Sequence, residues 1–141
     1  MFLNYYFFSQ TKVAYLGACF RAIKRNMKFI EHRTAKETVV EIRSDEVVVS
    51  SEQEALDIMA NIGYLYDSSK IILHKENLHE AFFDLSSGLA GGILQKFSNY
   101  RVQLVVVGDF SQITSKSLEE FILESNKGKQ VNFLPSVSDV L

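Results

Sequence analysis

RVQLVVVGD (101–109), followed after a short gap by SKSLEEFILESNKG (115–128), is the stretch on which the fold turns. The first run is short, rich in branched residues and free of polar alternation, which fits a strand covered on both faces better than one half in water. The second carries apolar residues at helical spacing. Thr114 or Ser115 stands at its head as a cap, and Gly128 is expected as a left-handed stop. QVNFLPS (130–136) then reads as a strand, and VSDVL (137–141) as a terminal turn.

Upstream, strand and helix alternate in the same way, without an internal repeat of sequence. SKIILH (69–74) has the brevity of a buried strand, and KENLHEAFFDLSS (75–87) connects it to a helix with Leu89, Ile93, Leu94 and Phe97 on one face. Before it, EVVVSS leads into Ser51-Glu-Gln-Glu54, a capping-box pattern, and then Leu56, Met59, Ala60 and Gly63 follow at helical spacing. KFIEHR (28–33) and TVVEIR (38–43) read as an antiparallel hairpin. Strand and helix alternate from about residue 46 onward, so the expected architecture is an α/β domain: a mixed sheet of about four or five strands with helices and an N-terminal hairpin.

The chain of 141 residues, 47% hydrophobic and 23% charged with one proline, is sized for a single packed domain. A net charge of −2 gives no overall pull toward phosphate backbones, and Arg21, Lys24, Arg25 and Lys28 are the only local basic group, so no nucleic-acid role is expected. Cys19 stands alone, which excludes an intramolecular disulfide and a cysteine-built metal cage and points to a reducing, cytoplasmic setting.

Residues 1–26, MFLNYYFFSQTKVAYLGACFRAIKRN, read as an extension to a domain spanning 27–141. Ser9, Gln10, Thr11 and Lys12 interrupt the apolar run well short of the roughly 20 residues a spanning helix needs, so no membrane segment is expected. The positive charges follow the apolar run, the reverse of a secretory signal. LGAC (16–19) is weakly similar to a lipoprotein cleavage site, with Lys12 and Tyr15 against it. Met27 is expected to be the true start.

Two groups of residues invite a functional reading. In DLSSGLAGG (84–92), Ser86 and Ser87 precede a helix, where free backbone N–H groups and the helix dipole would accommodate a phosphate, and Gly88 and Gly91 would let an anion or partner approach the backbone. The plainer reading makes one serine an N-cap and the glycines packing devices. GLAGG fits neither the dinucleotide fingerprint nor the phosphate loop. At the carboxyl ends of the strands, where helix-crossover sheets place ligands, His74, Glu76, Asn77, His79, Asp84, Asp109 and Ser111 could line a crevice and do acid–base chemistry. Their spacing matches no two-histidine metal helix, and no metal or other cofactor is expected. A solvated polar loop, with Asp109 organising its own turn, is the plainer alternative here. No G-x-S-x-G elbow supports a serine hydrolase, and Phe82, Phe83 and Phe97 read as core.

KIILHKENL, AFFDLSSGLAGGILQKFSNYRV, VVVGDFS and TSKSLEEFILESNKG together closely resemble the bacterial family called domain of unknown function 4180. A departure falls at Gly92, where that resemblance implies an acidic residue. The order hairpin, helix, strand, S-S-G-L at a helix start, strand, helix, strand is similar, more distantly, to the STAS domain of anti-sigma factor antagonists. That resemblance implies a STAS-like fold and a non-catalytic regulatory module that binds a protein partner, switched by phosphorylation of Ser86 or Ser87. Ser86, Ser87, Gly88 and Leu89 fall on the motif, while Leu85 separates the acid Asp84 from the serines. A small enzyme or metabolite binder using the strand-end crevice is the alternative function.

Overall fold

The computed structural model describes residues 26–141; the expectations for the N-terminal segment, from the lipoprotein-like LGAC to the start at Met27, concern residues outside that range or at its edge. Strands β1 (Lys28–Arg33) and β2 (Thr38–Arg43) form the hairpin. Thr34 closes its loop: the Thr34 hydroxyl donates to the Glu37 carbonyl at 2.8 Å and accepts from the Lys36 and Glu37 amides. There follow helix α1 (Glu52–Tyr66), strand β3 (Lys70–His74), three short 3-10 turns, helix α2 (Leu89–Asn99), strand β4 (Gln103–Val107), helix α3 (Lys116–Asn126) and strand β5 (Val131–Leu134). The five strands lie in chain order, β1 antiparallel to β2 and all other neighbours parallel.

Residues alternate between the two faces of a strand. One face carries Val40, Ile42, Ile71, Leu73, Leu104, Val106, Val131 and Phe133, and all three helices pack on it through Ile58, Ile62, Ile93, Phe97, Leu118 and Ile122. Each fully buried side chain of this layer contributes on the order of 1.5–3 kcal/mol relative to exposure. The opposite face holds Val39, Ile72, Val105 and Val107, with Leu134, Val137 and Val140 of the terminal segment against them. Among the described residues no α-helix packs on this second face; the 3-10 turn Val137–Asp139 does, and Glu41 lies in the same face.

The helix ends show which local signals acted. Ser51 caps α1 by accepting the Glu54 amide at 3.2 Å, while the Glu54 carboxylate takes the Ser50 hydroxyl, so the reciprocal half of the expected box is filled by a neighbour. Ser115, not Thr114, caps α3. The left-handed stop expected at Gly128 is absent, since Gly88 is the only described glycine with positive φ. Tight bonds from Lys127 N to Glu124 O and Gly128 N to Ser125 O finish α3 instead. Asn126 then fixes the exit by pairing both ways with Phe133, its Nδ2 donating to the carbonyl at 3.1 Å and its Oδ1 accepting from the amide at 2.7 Å. With those groups satisfied, no left-handed residue is required.

Candidate functional site

The DLSSG segment is a 3-10 turn that feeds α2. Asp84 heads it, its Oδ1 accepting from the Ser86 amide at 3.1 Å and the Ser86 hydroxyl at 2.6 Å. The Ser87 hydroxyl lies 2.6 Å from the Ala81 carbonyl and 2.7 Å from that of Asp84, and it accepts from the Leu89 amide. Having one proton, Ser87 is committed to the turn. Gly88 follows with φ of +77°, the left-handed conformation that disfavours a side chain, and serves as the cap of α2. The two serines therefore differ: both are exposed, but only Ser86 spends its hydroxyl on a carboxylate alone. Gly91 faces open space. At Gly92 the carboxylate of Glu52 fills the place a side chain would take, its Cδ 2.7 Å from the position of a Cβ. The acid that the family resemblance implies at position 92 is thus met here by an acid from α1.

The strand-end crevice is divided rather than continuous. Lys75 lies across it: its side chain crowds Gly108, where a Cβ would stand 2.6 Å from Lys75 Cβ, and its Nζ donates to the Asp109 carbonyl at 2.9 Å. The ammonium sits between the rings of Phe83 and Phe110, 5.9 and 5.4 Å from their centroids. On one side is a hollow of about 500 Å³ walled by Val47, Leu78, His79 and Phe83; on the other, one of about 410 Å³ walled by Asp109, Phe110, Ser111 and Phe133. His79 uses Nδ1 to accept the Ala81 amide. Asp109 accepts from the Ser111 amide at 2.9 Å and hydroxyl at 2.6 Å, and the serine hydroxyl, the serine amide and Lys75 hold its carboxyl below the usual range. Asn77 is buried, donating from Nδ2 to the carbonyls of Ser44 and Glu46 at 2.8 and 2.9 Å. The crevice residues are therefore not one constellation: His79, Asp84 and Asp109 organise separate turns, and Asn77 braces the segment before α1.

His74 goes elsewhere, into a cluster whose centre the motif reading missed. Glu41, in the middle of β2, is 0% exposed. His32 Nε2 lies 2.9 Å from its Oε1, and His74 Nε2 and Arg43 Nε lie 2.7 and 2.8 Å from its Oε2. Burial works to raise the Glu41 carboxyl, but the hydrogen bonds from Arg43, His74 and His32 and the charge of Arg43 outweigh it and hold it down at about 2. The partners' side chains are 24%, 21% and 59% exposed for His32, His74 and Arg43, so the roof over the carboxylate is about one side chain thick. The signal available was the register: a charged residue centred in a strand with Val39, Val40 and Ile42 around it, with His32 of the hairpin on the same face. Among the described residues no three histidine, cysteine or acidic side chains stand in metal-binding geometry, and no helix is long and apolar enough to cross a membrane.

Over residues 34–141 the chain matches the family described as domain of unknown function (DUF4180), and it belongs to that family. No curated protein and no solved structure gives a significant match.

Proposed function

We propose that this member of the DUF4180 family is a STAS-like, non-catalytic regulatory module of the cytoplasm that binds a protein partner and is switched by phosphorylation of Ser86. The single observation that carries this reading is the exposed Ser86 hydroxyl, held 2.6 Å from the Asp84 carboxylate at the entry to α2. The carboxylate aligns the oxygen and can take its proton during transfer. A phosphate there would carry about −1.5 to −2 charges beside Asp84. Repulsion would break the Asp84–Ser86 turn and re-aim the entry to α2, which is how a partner would sense it. The hairpin at one sheet edge, the helices on one face and S-S-G-L at a helix start support the STAS-like assignment.

Ser111 meets Asp109 with the same geometry but does not lie in the S-S-G-L turn that feeds α2, and it is the control site. The test is therefore phosphosite mapping of the protein isolated from its own host, together with partner retention by Ser86→Ala and Ser86→Asp. Phosphate on Ser86, with a stoichiometric partner kept by one substitution and lost by the other, is the expected result. An unmodified Ser86 with equal partner binding by both forms would remove the switch.

A further inference from the structure

The Glu41 cluster borders a third hollow, of about 260 Å³, at the carboxyl ends of β2 and β3. Arg43, Ser44, Asp45, His74, Glu76 and Asn77 line it. Every lining side chain is polar, and both signs of charge are present. Arg43 bonds Glu41 through Nε alone, which leaves its two terminal amino groups free of any described protein partner. The carboxylates of Asp45 and Glu76 likewise take part in no hydrogen bond or ion pair among the described residues. Opposite charges thus line one small hollow and do not pair across it, although each would gain from doing so.

Glu41 explains why they stay apart. Its two oxygens are consumed by His32, His74 and Arg43, so it offers nothing to a ligand but fixes the Arg43 fork and the His74 ring in place. With the Nε2–H of His74 donated to the carboxylate, the other nitrogen of the uncharged ring can only accept, so Arg43 is the donor that remains for a ligand. A fully buried carboxylate is costly to maintain for stability alone, since an apolar side chain at that strand position would do as well or better. Its bonds hold Arg43 and His74 in position at the rim of the hollow.

From this we infer that the hollow binds a small zwitterion of the free α-amino acid class, its carboxylate on Arg43 and its ammonium on Asp45 and Glu76. The volume of about 260 Å³ is below the roughly 300 Å³ at which pockets for larger ligands begin, which limits the occupant to a compact metabolite. The planar guanidinium is matched to a carboxylate. The two acids disfavour phosphate and other polyanions, and Arg43 disfavours a simple amine or metal cation. This site stands apart from Ser86 and does not depend on the regulatory reading.

The experiment is calorimetric titration of the whole chain with the standard amino acids, with propionate and propylamine as the separated halves of the ligand. An amino acid should bind, and each half alone should bind at least about tenfold more weakly. Arg43→Gln should weaken binding by about tenfold or more, and the double variant Asp45→Asn, Glu76→Gln by a similar factor. The latter alters only exposed groups, so it keeps the test open if Arg43→Gln fails to fold. Ser86→Ala should bind as the parent does. No heat with any amino acid, propionate binding as tightly as the best amino acid, or full affinity in the acid double variant would each overturn the assignment.

Discussion

The Nε2 atom of His74 lies 2.7 Å from Oε2 of Glu41, so the last residue of β3 is tied to the centre of its neighbour β2. With His32 on the other oxygen, one carboxylate joins three adjacent strands on the face that carries no described α-helix. The tie explains how the edge hairpin is held to the parallel part of the sheet beyond its backbone ladder.

The Glu41 carboxyl sits at about 2, against 4.5 when unperturbed. Because the folded value is the lower one, its contribution is fully present above 4.5 and is lost as the pH falls from there toward 2. The interval corresponds to at most about 3 kcal/mol, and solvent reaching the exposed Arg43 reduces it to about 2 kcal/mol. Urea unfolding across this range should show a falling acid limb. Glu41→Gln should be less stable at neutral pH by about 2 kcal/mol and lose most of that limb; a variant whose limb matches the parent's would show that other carboxylates set the acid behaviour.

Asn77 is buried and donates to two carbonyls, those of Ser44 and Glu46, which lose that donor when it is removed. Asn77→Ala should destabilise by about 2–3 kcal/mol, read as a lower urea midpoint with an unchanged slope. Asn77→Asp should fare no better, because an ionised carboxylate cannot donate to Ser44 or Glu46. A loss under about 0.5 kcal/mol would mean that the segment before α1 is held by other means.

Two glycines should respond in opposite directions to alanine. At Gly92 the obstacle is the far end of Glu52, which is exposed and can swing away, so the helix gains about 0.5–1 kcal/mol. At Gly108 the obstacle is Cβ of Lys75, which cannot move without its backbone, and a loss of about 1–3 kcal/mol is expected. Thermal midpoints of the two variants test the pair; the same sign for both would contradict it.

Lys75→Met should keep the side-chain stem between Phe83 and Phe110 but lose the cation–π contacts and the bond to the Asp109 carbonyl. The cost should be about 1 kcal/mol, and Asp109, deprived of a neighbouring positive charge, should titrate at higher pH. An unmoved Asp109 in carbonyl-detected NMR would show that Ser111 alone sets it.

Features written in adjacent residues were legible in the sequence: the hairpin, the Ser51 cap, a cap at Thr114 or Ser115, the short buried strands and their alternation with helices. Glu41 was not, because nothing within TVVEIR says which residues of two other strands will meet it; His32 and His74 arrive there only through register. The crevice failed as a single site for a related reason. His74 ends its strand pointing to one face, while His79 and Asp84 follow on turns that spend their side chains on nearby amides. Gly128 misled because composition marks a stop without saying how the stop is made, and Asn126 made it through a strand seven residues on.

The order of the described strands in space is their order in the chain, with the three described α-helices on the same side. Such a molecule is wound like a spring, each turn resting mainly on the one before. A chain emerging from the ribosome can lay down each turn on a surface already made, and only the terminal Val137 and Val140 come back, over the second face. The last strand, β5, pairs with β4 alone. Shortening the protein from its carboxyl end should therefore peel one turn away while the earlier windings keep their sheet.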